Sequence, residues 1–265
     1  MPRAKRELGQ HFLSDPSILR RIVAALDPER DDVVLEIGPG LGSLTSVLLE
    51  RVDHVIAIER DGDLVPALRQ EFPSATIVHG DALDLDWHAL AGGQPFLVVG
   101  NIPYQITTPL IDKAMLPPRP HRIVFLIQRE VAERLAAAPG TKAYGALTIG
   151  VQALAQVERL FRVPAGAFHP PPQVQSAVVR LTPRLEPLVT DRESAEFRRL
   201  VVGLFGFRRK QLLRAVRGLT GLPAETAAAA LDQAGVAGNI RAEGLAPPDC
   251  VRLFRVLVDG GWWPR

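Results

Sequence analysis

The sequence predicts an α/β domain followed by a small helical domain, because the pattern of apolar residues changes along its 265 residues. In the first two-thirds, short apolar runs alternate with stretches of helical spacing, which is typical of a parallel sheet with right-handed crossovers. Prolines then interrupt the chain, at Pro170–Pro172, Pro183 and Pro187. Only helical patterns follow, which predicts a domain boundary near Leu185 and a division into residues 1–184 and 185–265.

The elements are predicted from the period of the apolar residues. Five buried strands come first, at Val33–Ile37, Val55–Glu59, Thr76–His79, Phe96–Val99 and Arg122–Ile127. Helices are expected between and after them, at Leu44–Arg51, Leu64–Glu71, Pro109–Met115, Glu130–Ala138 and Ala146–Gln156. Two further strands, Val157–Val163 and Ala177–Leu181, could form an antiparallel hairpin at the sheet edge. The last third is predicted to hold the helices Glu193–Leu204, Arg209–Arg217, Glu225–Ala234 and Pro248–Asp259.

The composition limits the class of protein. Hydrophobic residues make up 47% of the chain, which is enough for a buried core. No apolar stretch is long enough to cross a bilayer, and the basic start lacks the apolar segment of a signal peptide. Cys250 is the single cysteine, which excludes an intrachain disulfide and a cysteine-based metal site. The spacing of His11, His79 and His169 suggests no metal site either, and we expect a reducing, cytoplasmic setting.

A glycine-rich turn follows the first predicted strand. Its sequence, Glu36-Ile-Gly-Pro-Gly-Leu-Gly42, places Gly38 and Gly40 between a strand and a helix. Glycine lets a backbone approach a ligand where a Cβ would clash. The spacing Gly-x-Gly-x-Gly differs from the Gly-x-Gly-x-x-Gly of dinucleotide sites. The turn indicates a bound ligand, although tight glycine turns also occur for packing alone.

Two acidic residues end the next two predicted strands. Glu59 stands where a carboxylate can accept hydrogen bonds from both hydroxyls of a ribose. Asp81 ends the third strand and could accept the amine of an adenine ring, although a turn or helix-cap aspartate is a common alternative. These strand ends share one edge of the sheet, where open α/β folds bind ligands. The pattern favours an adenosine-containing cofactor, and S-adenosylmethionine fits it better than NAD.

The tetrapeptide Asn101-Ile-Pro-Tyr104 follows the fourth predicted strand. The N6 amine of adenine is a poor nucleophile because its lone pair is delocalised into the ring. The amide oxygen of Asn101 and a backbone carbonyl can accept the two N–H bonds, which localises the lone pair on nitrogen. Tyr104 could stack on a flipped base and hold it in line with the methyl donor. The alternative is a proline turn with a capping asparagine.

The loop Phe168–Ser176 is stiffened by three prolines between the last two strands of the sheet. Phe168 could supply the second face of a sandwich around the base. It could equally be a core phenylalanine that the prolines hold in place.

A basic segment is predicted in the helical domain. Seven basic residues and no acidic one lie from Arg198 to Arg217; they are Arg198, Arg199, Arg208, Arg209, Lys210, Arg214 and Arg217. Phosphate contact and a solvated helix face are both compatible with this run. The net charge of +2 decides nothing by itself, because its distribution matters more.

The order of these motifs resembles the family of small-subunit (16S) ribosomal RNA adenine N6,N6-dimethyltransferases of the KsgA type. The resemblance covers nearly the whole chain and is carried by Leu8–Leu13, Glu36–Thr45, Ile58–Glu59, Gly80–Leu83, Asn101–Tyr104, Pro139–Gly145, Phe168–Val179 and Arg208–Lys210. Gly206 and Phe207 depart from it, since more polar residues would be expected there.

The resemblance implies a class I S-adenosylmethionine-dependent methyltransferase, with a Rossmann-like seven-stranded sheet and a C-terminal helical domain that binds rRNA. It implies that His11 and Leu13 help to close a cofactor site completed by Gly38, Gly40, Glu59, Asp81, Ala82 and Asn101. The implied catalytic residues are Asn101, Tyr104 and Phe168, and the implied RNA contacts are Arg208, Arg209 and Lys210. The expected partner is small-subunit rRNA in a pre-ribosomal particle, bound by a monomer without a membrane.

The implied activity is the dimethylation of two adjacent adenosines near the 3′ end of small-subunit rRNA, linked to maturation of the subunit. One alternative is an enzyme that dimethylates an adenine of large-subunit rRNA and confers antibiotic resistance. The segment Pro139–Gly145 and the arginine-rich helical domain favour the small-subunit substrate. A ribosome-assembly factor without activity is a second alternative, which the presence of Glu59, Asp81 and Asn101 disfavours. An NAD oxidoreductase is disfavoured by the glycine spacing.

Overall fold

The structure is a computed structural model that describes Lys5 and residues 8–263. The first part of the chain alternates strands with helices. Its elements are β1 (Phe12–Leu13), α1 (Pro16–Leu26), β2 (Val33–Ile37), α2 (Ser43–Leu49), β3 (His54–Glu59), α3 (Val65–Glu71), β4 (Thr76–His79), α4 (Trp87–Leu90), β5 (Phe96–Asn101), α5 (Thr107–Ala114) and β6 (Arg122–Gln128).

The chain continues through α6 (Arg129–Leu135), α7 (Ala146–Gln152), β7 (Ala155–Val163), β8 (Phe168–His169) and β9 (Ser176–Pro183). Four helices follow: α8 (Asp191–Gly206), α9 (Leu212–Thr220), α10 (Ala224–Gln233) and α11 (Pro247–Asp259). The expected α/β part followed by helices is confirmed for the described residues.

Seven strands form one mixed sheet in the order β4-β3-β2-β5-β6-β9-β7. Strands β2 to β6 pair in parallel, and β9 runs antiparallel to β6. The expected neighbours at the edge are present, with β7 outermost and β9 beside it. The strand order reverses between β2 and β5, which is the point at which open α/β sheets bind ligands.

The register of the central strands places the site residues side by side. Ile37 at the end of β2 pairs with Ile58 of β3 on one side and with Gly100 of β5 on the other. The residues that follow, Gly38, Glu59 and Asn101, therefore lie at the same edge of the sheet.

The central strands of the sheet are apolar, as expected for strands that are covered by helices. Val34 on β2, Val99 on β5 and Val124 on β6 are completely buried, and one face packs against Ile22 of α1 and Leu48 of α2. Helix α1 begins after Asp15, whose carboxylate accepts hydrogen bonds from the backbone N–H groups of Ser17 and Ile18.

The contacts within the chain divide it into two compact units. The first comprises Met1–Ala132 and Val157–Pro183, and the second comprises Glu133–Gln156 and Arg184–Arg265. The chain passes from the first unit to the second for the last time between Pro183 and Arg184, within one residue of the expected domain boundary. Residues 133–156, however, were expected in the first domain, and they pack instead with the C-terminal helices. Tyr144 contributes to this packing: its ring is buried beside Phe205, and its hydroxyl donates to the carbonyl oxygen of Leu245 at 2.7 Å.

Two properties of the described residues bear on function. None of their helices combines the length and apolar character that a membrane span requires. The same part of the chain holds no group of three or more histidine, cysteine, aspartate or glutamate residues suited to a metal ion.

Candidate active site

A cleft opens in the first unit at the carboxyl ends of β2, β3 and β5. Its space, counted out to open solvent, is about 1140 Å³. The N-terminal residues Leu8–Leu13 line one side, and the glycine turn, the ends of β3 and β4 and the segment 101–106 line the rest. The carboxyl ends of the strands are where open α/β sheets bind ligands.

The glycine turn gives the cleft a floor of bare backbone. Gly38 and Gly40 have φ angles of +69° and +58°, which other residues adopt only with strain. A Cβ on Gly40 would lie 2.8 Å from the ring of Phe12 in β1. The two glycines predicted for the site therefore shape the turn and also let the N-terminal strand lie against it.

Glu59 is held in one orientation by two backbone N–H groups. The N–H of Gly40 donates to Oε2 at 3.0 Å, and the N–H of Asp61 donates to Oε1 at 2.7 Å. The side chain is buried, and burial raises the pKa of its carboxyl group although the backbone hydrogen bonds oppose the shift. Each oxygen retains acceptor capacity toward the cleft, as a ribose diol requires.

Asp81 both caps a turn and lines the cleft. Its Oδ1 accepts from the N–H of Leu83 at 2.9 Å, and Oδ2 lies 3.4 Å from a guanidinium nitrogen of Arg60. Ala82 beside it is buried and also lines the cleft. The turn role considered from sequence is thus present, and it leaves the carboxylate where a ligand can reach it.

The amide of Asn101 is fixed by the N-terminal segment. Its Nδ2 donates to the carbonyl oxygen of His11 at 2.7 Å. In the described part of the chain, no hydrogen bond ends on the amide oxygen, so this atom is available as an acceptor in the cleft. Asn101 is the last residue of β5, which extends two residues beyond the predicted end of this strand.

His11 and Tyr104 stack at the cleft wall. Their ring centroids are 5.8 Å apart with an interplanar angle of 29°. The Nδ1–H of His11 donates to the carbonyl oxygen of Pro170 at 2.8 Å, and the hydroxyls of Tyr104 and Ser176 lie 2.7 Å apart. Burial raises the pKa of the Tyr104 phenol, so the ring remains neutral. One face of the Tyr104 ring is therefore occupied by histidine.

Phe168 lies in the core and is absent from the lining of the cleft. It is 4% exposed and belongs to the cluster that contains Leu13 and Val99. It pairs with Leu13 in a two-stranded antiparallel ladder of β1 and β8. The geometry thus agrees with a core phenylalanine and differs from the expected base contact. Leu13, by contrast, does line the cleft as expected.

The predicted RNA contacts lie in the second unit and differ from one another. Arg208 is engaged, because it donates to Glu243 at 3.3 Å and to the carbonyl oxygen of Lys142 at 2.9 Å. Arg209 and Lys210 are exposed.

Two buried acids were not predicted as site residues: Glu36, which lines the cleft, and Asp61, which lies behind its lining. Glu36 is 1% exposed and accepts from the Thr45 hydroxyl at 2.6 Å, and burial raises its pKa to about 8. Asp61 is 4% exposed and follows Glu59 by two residues. The signal for Glu36 was present, since an acid inside the apolar run Val33–Ile37 is unusual. Nothing in the local sequence marks Asp61, because its side-chain partners Lys5 and Gln10 lie more than fifty residues away.

The fold and the cleft define a class I S-adenosylmethionine-dependent methyltransferase: a seven-stranded sheet with one antiparallel strand, a glycine turn after β2 and an acid at the end of β3. The residues present fit this cofactor, because the bare turn admits a ligand and the buried Glu59 offers acceptors for a ribose. The family model "Ribosomal RNA adenine dimethylase" matches residues 1–259, and the chain belongs to that family.

Relatives agree with this assignment. The chain is 45% identical to the ribosomal RNA small subunit methyltransferase A of Synechococcus sp. (strain JA-3-3Ab), over 98% of this chain and 95% of that one. It is 41% identical to the protein of the same name from Geobacter metallireducens, over 98% and 97%.

Two solved structures are also similar. A dimethyladenosine transferase from Plasmodium falciparum matches with a TM-score of 0.84 and 27% identity, covering 96% of this chain and 99% of that one. The 23S rRNA methyltransferase ErmE matches with a TM-score of 0.73 and 31% identity, covering 93% and 99%.

Proposed function

We propose that this protein transfers methyl groups from S-adenosylmethionine to the N6 amines of two adjacent adenosines near the 3′ end of small-subunit rRNA. The observation that carries the proposal is the amide of Asn101, whose nitrogen is bound to the N-terminal segment and whose oxygen is free at the cleft. The RNA is inferred from the relatives named for the small-subunit substrate, which match nearly the whole chain.

The cofactor would be held by residues from three strand ends. Glu59 would accept the ribose hydroxyls, Asp81 would accept the adenine amine, and Gly38 and Gly40 would let the chain approach closely. His11, Leu13 and Ala82 would close the site. When bound, the cofactor supplies a methyl group on a sulfonium, which is electrophilic enough that no general base need act before attack.

The target amine would be oriented by two acceptors of the segment 101–104. Oδ1 of Asn101 is the first. The second is the carbonyl of Ile102, because the carbonyl of Pro103 already accepts from the N–H of Ile106 at 3.1 Å. Accepting both N–H bonds turns the lone pair of N6 toward the methyl carbon, an interaction that is strongest in the transition state. The monomethylated amine keeps one N–H, so one acceptor suffices for the second transfer.

The base would stack on Tyr104. Because His11 covers one face of this ring, the opposite face is left for adenine. The hydrogen bond with Ser176 fixes the ring and adds to the positional precision that an in-line transfer requires. Phe168 would form the second face of the base only after a movement of β8, since it is buried beside Leu13.

The partner would be small-subunit rRNA in a pre-ribosomal particle, which this protein would bind as a cytoplasmic monomer. The exposed basic residues of the second unit include four that lie close together in sequence: Arg209, Lys210, Arg214 and Arg217. In the described part of the chain none of these four has an ionic partner, in contrast to Arg208 and to Arg199, which pairs with Glu196 at 2.5 Å. Unpaired cations are the ones that can neutralise phosphates without first losing a partner.

The activity is tested by mass analysis of rRNA after separate incubations of the protein and labelled cofactor with immature small subunits and with large-subunit rRNA. Two methyl groups on each of two adjacent adenosines are expected, and none in large-subunit rRNA. Label confined to large-subunit rRNA would favour the alternative substrate to which the ErmE likeness points. Particle binding without any label would indicate an assembly factor without activity.

The RNA surface is tested by changing Arg209, Lys210, Arg214 and Arg217 together to glutamine. RNA affinity should fall, and the slope of log affinity against log salt should become shallower by about 3, since each lost phosphate contact removes about 0.7–0.9. The matched control is Arg208→Gln, which should leave the slope unchanged. An unaltered slope in the variant with all four substitutions would indicate that this surface is only a solvated helix face.

A further inference from the structure

Asp61 lies buried beside the cofactor cleft and accepts three hydrogen bonds. The ammonium group of Lys5 donates to Oδ1 at 2.6 Å, and the side-chain amide of Gln10 donates to Oδ2 at 2.9 Å. The backbone N–H of Asp63 also donates to Oδ1, at 3.1 Å. Two of the three donors come from the N-terminal segment, more than fifty residues away in sequence.

The same residue orients the acid at the end of β3. The backbone N–H of Asp61 donates to Oε1 of Glu59 at 2.7 Å. Its backbone therefore holds the acid proposed for the ribose, while its side chain holds the N-terminal segment. The bonds of Asp61 thus connect one wall of the cleft to the other.

We use the name N-terminal strap for Lys5 and residues 8–13. Residues 8–13 of the strap line the cleft. The strap is also held by His11 and Leu13. The backbone carbonyl of His11 accepts from Nδ2 of Asn101, and its Nδ1–H donates to the carbonyl oxygen of Pro170. Leu13 pairs with Phe168 in β8. The strap is thus anchored at both ends, with the cleft lining between the anchors.

The anchor at Asp61 consists of single side chains, unlike the anchor at β8, which is a backbone ladder. Burial would raise the pKa of Asp61, but the hydrogen bonds from Lys5 and Gln10 lower it below its ordinary value, so the carboxylate stays charged. A buried charge is stable only while its partners are present. The partner of Asp61, Lys5, is itself one-third exposed and can exchange its contact for water.

We propose that Asp61 is a positioning residue that holds the N-terminal strap against the bound cofactor and thereby sets the rate at which the cofactor dissociates. The proposal rests on the cofactor part of the proposed function and is independent of which RNA is the substrate. Opening of the strap at Asp61, with the β1–β8 anchor kept, is the movement that lets the cofactor leave.

The test is the dissociation rate of S-adenosylhomocysteine from the full chain, measured by stopped-flow displacement. Asp61→Asn and Lys5→Met should each raise this rate about tenfold, as expected for the loss of one hydrogen bond to a charged group. The association rate should change by less than about threefold, because the floor of the cleft is untouched. The double variant should be no faster than either single one, since both remove the same contact.

Asp63→Asn is the matched control. Asp63 also contacts Lys5, at 2.6 Å, but its side chain is 78% exposed and it makes no contact with Gln10. Its loss should leave the dissociation rate within about twofold. Dissociation from the unmodified protein should become faster with rising KCl, and dissociation from the Asp61→Asn variant should depend less on salt.

An unchanged dissociation rate in Lys5→Met would overturn the proposal, and so would additive effects in the double variant. If Asp61→Asn fails to fold, Lys5→Met decides alone, because a partly exposed lysine near the chain terminus is not needed for the core. Loss of rRNA methylation with normal cofactor kinetics would count against the proposed substrate and leave the strap unaffected.

Discussion

The two ends of the Asn101 side chain have different partners. The nitrogen donates to His11, and this bond determines which way the oxygen faces. A carboxylate at this position would place an acceptor against the His11 carbonyl, so aspartate is not equivalent to asparagine here. The orientation of the amide therefore depends on a residue ninety positions earlier in the chain.

Replacing Asn101 with alanine should reduce turnover about 100- to 1,000-fold, because an acceptor for the reacting amine is lost where charge develops. RNA affinity should be nearly unchanged, since the basic residues lie elsewhere. The check is a paired measurement of methyl transfer and particle binding on one preparation. Asn239→Ala, at an exposed position, is the control and should alter neither. Equal loss of both activities would indicate that Asn101 only shapes the loop before Tyr104.

Glu36 should make stability depend on pH. In the folded protein it keeps its proton to about pH 8, whereas the unfolded chain releases it near pH 4.5. Between these values the folded state binds more protons, so the free energy of unfolding falls as pH rises, by at most about 1.4 kcal/mol per pH unit. Glu36→Gln cannot ionise and should gain stability relative to the unmodified protein from pH 5 to pH 8. Urea unfolding at several pH values measures this difference, and parallel curves would contradict it.

Among the elements, the central strands were the easiest to predict. β2 has the predicted bounds because it is a largely buried, mainly apolar run that ends at the glycine turn. β4 also has them, although it is an edge strand with exposed ends. Helix α1 was missed although Ile18, Ile22 and Leu26 recur at helical spacing after the cap residue Asp15. β1 and β8 could not be predicted, since two-residue strands have no period and their partners are far apart in sequence.

The site residues also differ in whether the sequence could predict them. Glu59 and Asn101 were predictable because they end strands whose register is set by the sheet. The link from Asp61 to Lys5 was not, because it depends on how the N-terminal segment folds back. Phe168 had two interpretations from its sequence context, and its burial in the cluster that contains Leu13 shows that it lies in the core.

The packing of the glycine turn against β1 leads to a prediction about both elements. Gly40→Ala should weaken S-adenosylhomocysteine binding at least about tenfold, because the new methyl group meets the Phe12 ring and the φ angle costs about 1–3 kcal/mol. Gly140→Ala is the control: its φ angle is also positive, but nothing lies within 4 Å of the added Cβ. It should lower the melting temperature slightly and leave cofactor binding intact. Calorimetry on both variants measures the difference, and equal affinities would contradict the role given to Phe12.

At the scale of the whole molecule, the chain passes between its two units three times. The sequence could not reveal this, because Ala146–Gln152 has the same helical pattern whether it packs on a sheet or on other helices. Its place is set by contacts with α8 and α11, which come much later in the chain.

Truncation after Pro183 should therefore not yield a clean first unit. Residues 133–156 would remain, with Tyr144, Ile149 and Val151 deprived of the helices that bury them. Exposed apolar surface of this kind binds hydrophobic dyes and promotes aggregation. The truncated chain should show strong dye fluorescence and a lower melting temperature than the full chain. A monomeric, dye-negative fragment with cooperative melting would contradict the division into units.

The ladder between β1 and β8 has a consequence for synthesis on the ribosome. Phe12 and Leu13 are made near the start of translation, yet their partners His169 and Phe168 are made more than 150 residues later. At about 5–20 residues per second, the nascent N-terminal segment waits on the order of ten to thirty seconds for its partner strand. Every sheet strand but β9 is complete by then, so cofactor can be enclosed only late in translation, after most of the first unit has been made.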